Sequence, residues 1–141
     1  AEGPVESTTD LRVRYAETDQ MGVVYHANYL VWCELGRTDL IRKLGKSYSE
    51  YEREGVRLAV SEATIRYKGS ARYDDAIRIY TTISDVRSRS VTFNYRVTHV
   101  ESGDTLVTAT TALIALDLNG RPITMPPSLR DMLVKAVTIT T

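Results

Sequence analysis

The sequence predicts a single α+β domain in which one long helix packs against five antiparallel strands. Three observations carry that expectation. Residues 28–44 hold one long apolar stripe with helical spacing. Five other stretches, 8–17, 57–67, 76–86, 91–100 and 105–118, alternate apolar with polar residues or are dense in Val, Ile, Leu and Thr. The order is strand, long helix, short helix, then four strands, which suits an antiparallel sheet laid around a helix. The chain has 141 residues, 43% hydrophobic and 26% charged. That is one domain of ordinary globular composition, able to bury a substantial core.

Residues 1–7 are small and polar with one proline, and read as a tail before the domain at 8–141. In the first strand Leu11, Val13 and Tyr15 alternate with Arg12, Arg14 and Ala16. Thr18-Asp19-Gln20-Met21-Gly22 then reads as a turn. The stripe of the long helix is Tyr29, Trp32, Cys33, Gly36, Leu40 and Leu44. Arg37, Arg42 and Lys43 lean toward its C-terminal end and complement the dipole there. Gly45 stands where a helix-ending glycine belongs. Gly36 lies inside the stripe, where glycine costs about 1 kcal/mol against alanine, so a neighbour is expected close to the backbone. Ser47-Tyr48-Ser49-Glu50 matches a capping box and opens a short helix that stops before Gly55.

The remaining chain is mostly strand. Ile77, Ile79 and Ile83 share one face of the third, and Val91, Phe93, Tyr95 and Val97 one face of the fourth. Glu101-Ser102-Gly103-Asp104 is a hairpin turn, and Asn119-Gly120 ends the last strand. Ser128, after Pro126-Pro127, is placed to cap a terminal helix reaching about Lys135, with Asp131 reaching back. One sheet face is covered by the helix, and the free edges invite a partner subunit.

Several function classes are disfavoured. Lys plus Arg is 18 and Asp plus Glu is 18, a formal net charge of zero, so no nucleic-acid partner is expected. The single cysteine, Cys33, rules out an intramolecular disulfide and a cysteine-rich zinc site. His26 and His99 are far apart in sequence and form no metal motif. No apolar run approaches the ~20 residues of a membrane helix, so no membrane insertion is expected. The first ten residues lack the basic and apolar regions of a signal peptide, and the expected location is cytoplasmic.

Residues 15–28, YAETDQMGVVYHAN, gather polar and aromatic groups where a strand hands over to the helix. Asp19 suits an Asx turn or helix cap. It also suits a carboxylate beside a helix N-terminus, where unpaired N–H groups near Val24 and Tyr25 bind an oxyanion. Such a pair is the minimum for acyl transfer, one group activating water or attacking, the other stabilising the tetrahedral oxygen. His26 suits a cap, a core group or an acid/base. Tyr25 and Tyr29 suit either core or pocket lining. Cys33 lies roughly 10 Å along the helix from His26, too far to pair with it, and reads as core.

Tyr15-Ala16-Glu17-Thr18-Asp19, then Met21 through Leu30, then Glu34 and Arg37, closely resembles the signature of the 4-hydroxybenzoyl-CoA thioesterase family. The likeness is greatest to the bacterial acyl-CoA thioesterases associated with the Tol–Pal system. Ile65-Arg66-Tyr67 and Ala71-Arg72-Tyr73-Asp74-Asp75 resemble the family too, so the likeness covers about Leu11 to Leu118. It implies a hotdog fold, a five-stranded antiparallel sheet wrapped around the long helix. It implies a dimer with a continuous sheet, often paired into a homotetramer, with active sites at the dimer interface. It implies hydrolysis of acyl-CoA substrates, with no metal or bound organic cofactor. Asp19 matches the family's catalytic aspartate, the N–H near Tyr25 its thioester-polarising group, and Tyr25 and His26 belong to the same motif. Relatives often carry a proline before the Tyr-Asp-Asp, where this chain reads Tyr67-Lys68-Gly69-Ser70-Ala71. A looser pocket wall is expected there.

CoA carries phosphates and so needs cations. Arg87 and Arg89, between two strands, suit phosphate contacts or a solvated turn. Lys68, Arg72 and Arg121 are weaker candidates, and Tyr29 joins them as a possible contact to the acyl group. Two other classes use the same fold: a non-catalytic acyl-CoA-binding protein, and a hydratase or dehydratase. Asp19 argues against the first. The second expects an Asp/His pair in a hydratase-type motif, which the sequence lacks.

Overall fold

The computed structural model describes residues 6–25, 27–44 and 48–137. The elements are β1 (Ser7–Arg12), a single 3-10 turn (Tyr15–Glu17), α1 (Asn28–Lys43), α2 (Tyr48–Arg53), β2 (Arg57–Tyr67), β3 (Ala76–Val86), β4 (Ser90–His99), β5 (Thr105–Leu116) and α3 (Pro127–Val137). The strands form one sheet in the order β1-β3-β4-β5-β2, every pair antiparallel. One face wraps α1, which is the expected hotdog arrangement. No helix among the described residues is long and apolar enough to cross a membrane.

Two core clusters follow α1 along its length. Its first turns bury Tyr29 and Trp32 against Val13, Val24, Ile77, Ile79, Val97 and Val107. Its later turns bury Cys33, Leu40 and Ile41 against Ile83, Val91, Phe93 and Leu113, where Leu129 and Leu133 of α3 close the end. Between them lies Gly36, and the neighbour expected there is Thr81: a Cβ on Gly36 would run into Thr81 Oγ1 and sit 3.1 Å from Ile79 Cγ2. The glycine lets α1 settle directly on β3.

The first strand departs from its expected span. It begins at Ser7, one residue before the expected Thr8, and Ser7 is buried and accepts a hydrogen bond from Lys43 Nζ at 2.9 Å. It leaves the ladder after Arg12, because the chain curls into the 3-10 turn and carries Tyr15 out to 71% exposure. α3 starts at Pro127, which places Ser128 inside the first turn instead of at the cap; proline suits that position because its missing N–H has no helical partner. β2, β3 and the hairpin around Gly103 (φ 76°) match their expected positions. Gly45 and Ser47 lie outside the described residues.

β2 is one of the two edge strands of the sheet, with β1 at the other edge. Val60 on β2 and Leu30, Val31 and Leu35 on α1 are each more than 40% exposed. With Glu34, Arg37, Ala63 and Thr111, three of them (Leu30, Val31 and Val60) line a groove of about 270 Å³ between helix and edge strand.

Candidate active site

The segment from Tyr15 to Asn28 is a tight return between β1 and α1. Thr18 pairs with Val24, the Asp19 N–H donates to Val23 O at 2.8 Å, and the Gly22 N–H donates to Asp19 O at 3.1 Å. Gly22 has φ 80°, a backbone state that a β-carbon resists, so glycine suits this tip. Asp19 stands exposed on the return. Its Oδ1 accepts the Met21 N–H at 2.8 Å, an Asx turn. That bond orients the carboxylate and engages one of its two oxygens.

α1 begins at Asn28 after Ala27, with no side chain capping it. The Asn28 amide reaches back to Glu17 O at 2.9 Å instead. This corrects the expected donors. The Val24 N–H donates to Ala71 O at 2.8 Å and the Tyr25 N–H to Glu17 O at 2.9 Å, so both are taken up by the return itself. Further on, at the start of the helix, the Ala27 N–H has no acceptor among the described residues. His26 lies outside the described residues. The Tyr25 side chain is half exposed at the same end.

Tyr29, expected either as core or as pocket lining, is packed in the core. It is 2% exposed, with its ring edge-on to Trp32 and Tyr67. Its hydroxyl accepts the Ala71 N–H at 3.0 Å, and burial pushes that phenol up. The same contact explains the segment without proline. Lys68 and Gly69 both donate to Leu106 O, at 2.8 and 3.0 Å, while Ala71 is bonded on both sides. Hydrogen bonds fix this wall where proline would otherwise stiffen it. A proline at 69 would lose one of them. Lys68 is exposed beside it, at the Asp19 end of the sheet.

Arg87 and Arg89 lie at the other end. β3 starts next to the Asp19 return and runs 11 residues, roughly 36 Å at about 3.3 Å per residue, before reaching them. Arg87 Nε is 2.9 Å from Asp85 Oδ2, so the two cations are not equivalent. Cys33 is buried as expected, its thiol pushed up to about 12 by burial. Sequence reasoning missed Glu17, which is buried and accepts the Arg14 N–H at 2.8 Å and the Trp32 indole N–H at 2.7 Å. Alternation could not have found it, because the chain has left the strand for the 3-10 turn by Tyr15, which is exposed while Glu17 is buried.

Residues 13–133, most of the chain, match the thioesterase-like superfamily. The chain belongs to this superfamily. This thioesterase-like chain is 42% identical over 111 residues to YneP of Bacillus subtilis, covering 79% of this chain and 80% of that one. It is 34% identical over 120 residues to the acyl-CoA thioester hydrolase YbgC of Escherichia coli, covering 84% and 89%. Among solved structures, the DHNA-CoA thioesterase of Staphylococcus aureus superposes with a TM-score of 0.87 at 33% identity, over 92% of this chain and 89% of that one.

Proposed function

We propose that this chain hydrolyses acyl-CoA thioesters to a free carboxylic acid and CoA, with Asp19 as its working carboxylate. One observation carries the reading: an aspartate oriented through one oxygen stands on the tight return that leads into a helix N-terminus without a side-chain cap, where the Ala27 N–H has no acceptor among the described residues. The thioester oxygen sits at the start of α1, where the backbone donors and the dipole stabilise the negative charge that develops on it. Asp19 acts in one of two ways. As a base it removes a proton from water, which attacks the carbonyl carbon and expels CoA as thiolate. As a nucleophile it attacks that carbon itself, expels CoA thiolate, and water then opens the resulting anhydride. Tyr25 lines the same opening in this reading, and His26 belongs to the same sequence motif. The names of YbgC and the DHNA-CoA thioesterase support the substrate class, and the motif run supports the 4-hydroxybenzoyl-CoA thioesterase family of the Tol–Pal-associated type.

The reading includes a second copy of the chain. The open β2 edge and the apolar groove beside it, with exposed Leu30, Val31 and Val60, support edge-to-edge pairing into a dimer and then a dimer of dimers. Arg87 and Arg89 are too distant from Asp19 within one protomer to serve the same CoA, so they act on the substrate held at another subunit's Asp19. Lys68 lies at the Asp19 end and adds charge within the protomer. Release of free thiol from a panel of acyl-CoA substrates, followed with a thiol reagent, tests the activity. No release from any aliphatic or aromatic acyl-CoA would refute it.

A further inference from the structure

Glu17 takes no part in the chemistry above, yet it is the one buried carboxylate among the described residues. Burying a carboxylate is costly unless donors meet it. Here each oxygen has one: Oε1 accepts the Arg14 N–H at 2.8 Å, and Oε2 accepts the Trp32 indole at 2.7 Å. The Arg14 guanidinium lies 3.6 Å from Oε1. Burial pushes this carboxyl up, but the two donors and the arginine charge together hold it below its ordinary range. Its backbone carbonyl accepts two more bonds, from the Tyr25 N–H and the Asn28 amide, both at 2.9 Å. Two of these four bonds, from Trp32 and the Asn28 side chain, fasten the approach to Asp19 onto the first two turns of α1, and the other two tie it to Arg14 and Tyr25.

That arrangement matters because the two halves of the site stand on different segments. Asp19 is on an exposed return, while the oxyanion donor is on the helix. We propose that Glu17 is a positioning residue for hydrolysis, fixing the Asp19 return at its working distance from the N-terminus of α1. The proposal rests on the reading of Asp19 given above. A misplacement of about 1 Å in such a pair costs on the order of 100-fold in rate. A neutral glutamine cannot replace the carboxylate. It offers one acceptor where two donors converge, and its NH2 would face an N–H.

The test is Glu17→Gln in the full chain, alongside wild type and Asp19→Asn, with acyl-CoA hydrolysis and the fold measured together. The expected result is a folded protein whose kcat falls ~10- to 100-fold while KM moves less than about threefold. The chain has one tryptophan, so its single indole N–H resonance reports the bond directly and shifts upfield in the variant. Removing the opposed donor, in Glu17→Gln/Trp32→Phe, recovers kcat at least about threefold over Glu17→Gln alone. If Glu17→Gln does not fold, Glu17→Asp takes its place with the same expected kcat loss. It keeps the charge but is one methylene too short to span both donors. Wild-type kcat in a folded variant that has only lost melting temperature overturns the proposal, and with an inactive Asp19→Asn it leaves the Asp19 reading standing. An active Asp19→Asn overturns both.

Discussion

Adding one methyl group at Gly36 tests how closely α1 is seated on the sheet. On an open helix Gly→Ala stabilises by about 1 kcal/mol. Here the added Cβ meets Thr81 Oγ1 and lies 3.1 Å from Ile79 Cγ2. Both residues are fully buried on β3, which is paired on both sides, so neither has room to retreat. Overpacking of this kind costs about 1–3 kcal/mol, and with two rigid neighbours the upper end applies. Set against the helix gain, Gly36→Ala should lose about 2 kcal/mol. Urea denaturation at fixed protein concentration measures it. Thr81→Ala removes the obstructing hydroxyl, which is buried and has no hydrogen-bond partner among the described residues. In that background the Gly36→Ala penalty should shrink by at least about 1 kcal/mol. A Gly36→Ala protein as stable as wild type would refute the packing argument.

Three further expectations follow from single contacts. Tyr29→Phe leaves the Ala71 N–H buried without its acceptor and should cost about 1–3 kcal/mol in the same denaturation experiment. Cys33, with its thiol near 12, should be roughly one part in ten thousand thiolate at pH 8 and should react with a thiol reagent only on unfolding. Arg87→Ala/Arg89→Ala should raise KM for acyl-CoA more than it lowers kcat, because these groups bind far from the reacting carbon. Equal KM values, or a monomeric mass by light scattering, would remove them from the site.

The sequence made the fold legible wherever one physical signal acted alone. Strand-forming runs located β2 and β3 to the residue, and the glycine inside an apolar stripe announced a close neighbour, which is Thr81. The first strand was misjudged because alternation persists through Glu17 while the backbone has already curled away from the ladder. The motif singled out the stretch from Asp19 to the start of α1, but not the hydrogen bonds within it. Whether an N–H is taken depends on carbonyls distant in sequence: Ala71 takes the Val24 donor and Glu17 takes the Tyr25 donor. Tyr29 was ambiguous for the same reason. Its residue type fits a pocket, and only its packing against Trp32 and Tyr67 shows it to be core. Arg87 and Arg89 sit in a recognisable turn, but its distance from Asp19 is a property of the strand between them.

The central claim is that Asp19 drives hydrolysis from its place beside the helix N-terminus. Asp19→Asn keeps the shape, and its amide oxygen can still accept the Met21 N–H that holds the turn. The account predicts that free-thiol release at saturating acyl-CoA falls by ~100-fold or more, while acyl-CoA affinity and the melting curve stay close to wild type. Turnover within a factor of a few of wild type would contradict it.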